Sequence, residues 1–238
     1  MPEDKKNPAS SRLLAALSAN EYRRILPHLE SIELKQGERI YTARQKIDYA
    51  YFPSTALLSL IILSRNGDLV EAGIYGSEAL VGVSLLLGAD ISPHLIEVQI
   101  GGTALRIRAE VLKDLCGKAS CGLRHHLLRY AHTVMIQMAQ MTVCCSFHTV
   151  RQRLSRWLLM AQDRIQSDRI PLTKEIIAGL IGSRRPRVSI EIGSLQSAGL
   201  IKSNRGIISI VDREGLEEAS CECYRVIKEE IDDLLNTG

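Results

Sequence analysis

Residues 172–189 read Leu172-Thr-Lys-Glu-Ile-Ile-Ala-Gly-Leu-Ile-Gly-Ser-Arg-Arg-Pro-Arg-Val-Ser189. Thr173 is a good N-cap for a short helix over 174–180, with Glu175 one residue before the capping-box position. Ile181-Gly182 ends that helix in a tight turn. Ser183 is expected to cap a second helix over 184–198, which Gly199 terminates. Pro186 is tolerated because it falls in the first turn, where its missing N–H costs nothing. Ile177, Leu180, Val188, Ile192 and Leu195 stand where two crossing helices would share a small core. Helix, short Gly turn, helix is the helix-turn-helix pattern.

The second helix opens with Arg184, Arg185 and Arg187. Three cations at a helix N-terminus oppose the macrodipole, so they call for an anion. Duplex DNA supplies one, because a recognition helix reads base edges with its N-terminal residues and Arg is bidentate to guanine O6/N7. Ser189 lies one turn further along the same face. In 200–210 two short strands flank a turn carrying Lys202 and Arg205, a β-wing whose cations suit backbone phosphates. With Thr173, the expected DNA-binding set is Thr173, Arg184, Arg185, Arg187, Ser189, Lys202 and Arg205. Asp212 is expected to cap a last helix from 213 to about 235. Charge follows the same division. Residues 151–213 hold twelve Lys/Arg against five Asp/Glu, and 214–238 hold two against eight. One face is thus set for a polyanion and another is kept away from it.

Working back along the chain, Thr149 caps a helix over 150–165 with Leu154, Trp157, Leu158 and Ala161 inward. Residues 120–148 contain no Pro and one Gly, and read as a rod roughly 43 Å long at ~1.5 Å per residue. Leu127, Ala131, Val134, Met138, Met141, Cys145 and His148 recur in steps of four and three, a coiled-coil seam suited to an identical helix of a second chain. A second stripe (Leu128, Met135, Thr142) is left for the N-terminal domain. Between 29 and 108 the texture is β-rich, with runs at 32–34, 39–41, 49–52, 57–63, 69–74, 95–100 and 103–107 separated by Gly, Asn, Asp or Pro. Arg65-Asn66-Gly67-Asp68 marks a hairpin of type I′. Residues 109–116 form a short helix, 12–26 two more, and 1–10 a disordered arm.

The fold class is therefore α+β: an N-terminal jelly-roll-like β-barrel domain (1–119), a long dimerisation helix (120–148) and a C-terminal winged helix-turn-helix (149–238). The 238 residues are 45% apolar and 24% charged, which excludes a disordered chain. No apolar run approaches the ~20 residues of a membrane span, and the polar start carries no secretory signal. A cytoplasmic protein without membrane partners is expected. Aromatics at 4% are too sparse for a base-stacking platform. Nothing in the sequence has the order of a catalytic triad, a P-loop or a zinc-protease motif, so an enzyme is not expected. The six cysteines lack CxxC spacing, and no metal or other cofactor is expected. Cys144 and Cys145 are placed at the dimer seam, where a redox switch is an alternative to apolar packing. Cys221 and Cys223 are read as having no metal spacing, and His125, His126, His132 and His148 as surface or interface residues.

The chain resembles the Crp/Fnr transcriptional regulators. The resemblance is most specific over 150–160, 172–189, Gly199-Leu-Ile and Asn204-Arg-Gly, and looser over 73–107. It implies a cyclic-nucleotide-binding-type barrel, a homodimer on double-stranded palindromic DNA, and RNA polymerase as a candidate partner. It makes Arg185 the base reader, with Pro186 where several members carry an acidic one. Cyclic-nucleotide binders of the family have Gly-Glu and a later Arg-Ser/Thr; here Gly82-Val83 lacks the acid and Ser92-Pro93-His94-Leu95 lacks the Arg. Iron–sulfur members use an N-terminal cysteine group, and no cysteine precedes Cys116. The effector is unknown. The alternative is a ligand-binding, redox or haem sensor module with DNA binding secondary.

Overall fold

The computed structural model describes residues 11–117 and 122–236; the N-terminal arm and the expected start of the rod at 120–121 lie outside them. Two short helices, α1 (Arg12–Ala15) and α2 (Ala19–Ile25), lead into the β region. Seven strands follow: β1 (Glu30–Leu34), β2 (Arg39–Tyr41), β3 (Tyr49–Pro53), β4 (Leu57–Leu63), β5 (Leu69–Tyr75), β6 (Leu95–Ile100) and β7 (Gly102–Arg108). They form two antiparallel sheets, ordered β1-β7-β3 and β2-β6-β4-β5, a jelly-roll-like arrangement and not one closed cylinder. The β4–β5 hairpin is where the sequence places it, but its turn differs. Gly67 N–H donates to the Ser64 carbonyl and only Gly67 has positive φ. This is the three-residue loop closed by a left-handed Gly, and Asn66 stays right-handed because Ser64 Oγ accepts from its N–H.

Helix α3 (Ala109–Cys116) precedes the rod α4 (Gly122–Phe147). The two stripes of α4 do not lie where the sequence reading puts them. Leu127, Tyr130 and Val134 are buried in the N-terminal core, with Met138 packed against it, so the supposed dimer seam covers the sheets. Cys145 is exposed and Cys144 fully buried. Met135 of the other stripe is 64% exposed, and Thr142 is exposed too. The reason lies on a third face. The C-terminal helix packs along α4, and Leu234 joins the N-terminal core.

Thr149 caps α5 (Val150–Ile165) in a full capping box with Gln152. The four residues expected to face inward are all fully buried, but so are Leu159, Met160 and Arg156. Helix α5 is sandwiched: Leu57, Ile61 and Ile74 of the sheet share a core with Trp157 and Leu158. That explains why β4 is apolar on both faces except at Ser59, since residues 57–61 are covered on each side. Strand β8 (Arg169–Ile170), α6 (Lys174–Leu180), α7 (Arg185–Ser197), β9 (Ile201–Asn204) and β10 (Ile207–Ile210) complete the winged unit, whose sheet runs β8-β10-β9. The single last helix expected from the sequence is two, α8 (Arg213–Glu218) and α9 (Cys223–Asn236). Asp212 caps the first as expected, accepting from Gly215 N–H. Ser220 breaks it, its N–H and Oγ both turning back to the Glu217 carbonyl.

Candidate nucleic-acid interface

Helix α6 ends in a left-handed Gly182 (φ +62), with Gly182 N–H on the Gly179 carbonyl and Ser183 N–H on that of Ala178. This Schellman closure uses Ser183 to finish α6. Ser183 therefore does not cap α7. The N-cap is Arg184, in extended backbone with no side-chain cap. The same closure recurs at Gly199 (φ +78), with Leu200 N–H on the Leu195 carbonyl. Ile177, Leu180, Val188, Ile192 and Leu195 are all buried in one core, as their spacing predicts.

The N-terminus of α7 thus lacks a side-chain acceptor and carries three guanidinium groups. Arg184, Arg185, Pro186 and Arg187 are all exposed, and Ser189 is half-buried. Arg185 Nε lies 3.2 Å from Glu175 of α6, and Arg187 3.1 Å from Glu191 one turn on. The Arg185–Glu175 pair is exposed on both sides and contributes ~0–1 kcal/mol, so a stronger anion can displace it, whereas Glu191 is buried and ties Arg187 to its own helix. Thr173 caps α6 by accepting from Ile176 N–H, which leaves its hydroxyl hydrogen available as a donor.

The wing is built on Arg205 (φ +45) and Gly206 (φ +80), the two left-handed centres of a type I′ turn. Lys202 sits on β9 itself and not in the turn; both cations are exposed. Among the described residues no carboxylate pairs with Arg184, Lys202 or Arg205. A Cβ at Gly206 would lie 3.8 Å from the Thr173 methyl, so the wing tip stands beside the start of α6. The wing tip, the start of α6 and the start of α7 are therefore linked into one surface through Thr173, Glu175 and Arg185. On its other side the helix-turn-helix is docked: Leu69 of β5 lies against Gly179, and Val70 against Gly182.

A cavity of about 160 Å³ lies between the sheets and α4, lined by Tyr41, Leu60, Tyr75, Gly82, His94 and Val134 among others. No Arg, Lys, Asp or Glu lines it. It is apolar, and smaller than the ~300–1,000 Å³ usual for small-molecule sites.

The cysteine reading needs correction. Cys144 does not reach an exposed seam, and with Cys221 and Cys223 it forms a buried group of its own. The thiols and His148 lie together, all four ligand atoms within 4.8 Å of one another. The sequence carries a signal for this, Cys144 and His148 at i, i+4 on one helix face. It is half of a site, and the other half depends on the break between α8 and α9.

The family model for the Crp-like helix-turn-helix domain matches residues 152–219. No curated protein sequence matches the chain. Solved structures with the same fold include FixK2 from Bradyrhizobium japonicum (16% identity, TM-score 0.70, covering 81% of this chain and 98% of that one). TTHA1359, a CRP/FNR-family transcriptional regulator from Thermus thermophilus, is 19% identical with TM-score 0.65, over 80% of this chain and 98% of that one. TTHB099, a CRP-family regulator from the same organism, is 18% identical with TM-score 0.65, over 79% and 96%. The chain has the fold of the Crp/Fnr transcriptional regulators, and its residues 152–219 belong to the Crp-like helix-turn-helix domain family.

Proposed function

We propose that the protein is a homodimeric, sequence-specific regulator of transcription that binds a palindromic operator through α7. The observation that carries this is the start of α7: three exposed arginines and no side-chain cap, continuous with the wing cations. Arg184, Arg185 and Arg187 enter the major groove, Arg185 reads a guanine, and Ser189 follows one turn along. Thr173, Lys202 and Arg205 bind phosphate. Two such helices meet successive grooves about 34–36 Å apart, a spacing set by pairing of the α4 rods. The three units are the sheet domain, the rod and the winged helix, with the boundary at the α4–α5 break.

The protein acts in the cytoplasm on duplex DNA, with RNA polymerase as a further partner where it activates. Among the described residues no helix is long and apolar enough to cross a membrane. The small, charge-free cavity favours regulation without a cyclic nucleotide, because burying a phosphate needs a cation or clustered N–H donors. Selection of bound sequences from a random duplex pool with purified full-length protein tests the reading. A two-fold symmetric site is expected. Retention of DNA with no enriched sequence would overturn it.

A further inference from the structure

Helix α4 ends with Cys144 in its last turn and His148 just beyond it, still within the helical hydrogen bonding, since His148 N–H donates to the Cys144 carbonyl. The interruption between α8 and α9 carries Cys221 and opens α9 with Cys223. Cys144 Sγ and Cys221 Sγ are 3.6 Å apart, and Cys223 Sγ is 3.4 Å from His148 Nδ1. A tetrahedral Zn²⁺, with Zn–S of ~2.3 Å and Zn–N of ~2.0–2.1 Å, requires edges of about 3.8 Å for S···S and 3.5 Å for S···N. Both separations already fit such edges. We propose that Cys144, His148, Cys221 and Cys223 form a mononuclear zinc site that fastens the end of the rod to the last two helices.

Three surrounding groups suit such a site. His148 Nε2 lies 3.1 Å from the Glu222 carboxylate, which turns Nδ1 toward the thiols, the outer-shell pairing that orients metal-bound histidines. Gln140 Nε2 donates to Cys223 Sγ at 3.2 Å. Arg156 is 1% exposed, stands beside Cys144, and its Nε has no hydrogen-bond partner. A buried guanidinium needs a countercharge. Zinc with three thiolates and a neutral histidine carries one net negative charge, which supplies it. A multi-iron cluster would hold the sulfurs further apart. Four protein ligands leave no open position, so the site is structural and not catalytic. It ties the end of the rod, at the Phe147–Val150 break, to the last two helices, and so fixes how the winged unit is held on the rod. The proposal is independent of the DNA-binding reading.

The test uses untagged full-length protein purified in reductant. Elemental analysis is expected to find one zinc per chain. Replacement by Co²⁺ is expected to give the visible ligand-field bands and near-ultraviolet thiolate charge-transfer absorption of a tetrahedral, thiolate-rich site. Cys144→Ser and Cys223→Ser abolish stoichiometric metal, and Cys145→Ser, at an exposed neighbour, retains it. Should the cysteine variants not fold, Glu222→Gln serves: it leaves the four ligands in place and is expected to weaken Co²⁺ binding by about 10–100-fold. Fully reduced wild-type protein that takes up neither metal would overturn the proposal. So would unchanged metal content in Cys144→Ser and Cys223→Ser, a Cys144–Cys221 disulfide persisting in reductant, or iron with inorganic sulfide in place of zinc.

Discussion

In the proposed reading, Arg185 is the side chain on which recognition of the operator sequence depends. It is two-thirds exposed, and its partner is a Glu175 carboxylate that is itself exposed, so exchanging that partner for a guanine edge costs little. Arg185→Ala is expected to cost ~1–3 kcal/mol on the selected operator and to relax choice at one base pair. Equal losses on operator and random duplex, measured by anisotropy titration, would refute that role. Arg205 stands apart from α7, on the left-handed corner of the wing. Arg205→Ala is expected to weaken specific and random DNA alike and to reduce the salt slope by about one; an unchanged slope would exclude the phosphate contact. The arginines and their exposure were legible in the sequence because nothing in a two-helix core can accept them. The cap was not. Ser183 looks like an N-cap by type, but the Gly182 turn spends its backbone on closing α6, and only the three-dimensional turn shows that.

At the scale of elements, most strands and helices stand within a residue or two of where hydropathy and turn residues put them. The misreadings of α4 and α5 share one cause, the burial of an element by a partner distant in sequence. Helix α5 reads as amphipathic and is enclosed on all sides, because the sheet packs on one side and the helix-turn-helix on the other. The α4 seam obeys a heptad, yet its residues cover the sheets, while α9 takes a second face of the rod. What remains uncovered is Met135, Val143 and Phe147, 64%, 39% and 80% exposed. They lie along one side of the rod at spacings of eight and four, so in the proposed dimer this stripe, and not the one the heptad suggests, is the face offered for pairing. Met135→Glu is expected to give a folded monomer by light scattering, with operator affinity reduced at least tenfold because two half-sites are no longer joined. A dimer of unchanged stability would place the pairing elsewhere.

In the whole molecule, the sheet domain and the winged unit share buried polar ties as well as a core. Arg164 of α5 pairs with Glu78 at 2.9 Å, both 4% exposed, and a side chain at Gly76 would collide with Arg164, so close approach there depends on glycine. Trp157 Nε1 donates to Glu71 Oε1 at 2.9 Å, and Ser59 donates to the other carboxylate oxygen. Burial raises the Glu71 pKa from 4.5 to about 7, against the lowering effects of Ser59, Arg156, Trp157 and Arg164. The folded chain therefore keeps this proton over a range in which the unfolded chain has released it. Stability from neutral Glu71 is complete below about pH 4.5, declines as pH rises, and is lost above about pH 7. The total change is on the order of 3 kcal/mol. Glu71→Gln holds the side chain neutral at every pH and still accepts from Trp157. The urea midpoint of the wild type is expected to fall between pH 5 and 8 relative to that of Glu71→Gln, the two converging toward acid. Parallel midpoints across that range would show that Glu71 is ionised in the fold and held by Arg156 and Arg164. The tie between sheet and α5 would then be an ion network and not a neutral hydrogen-bonded one.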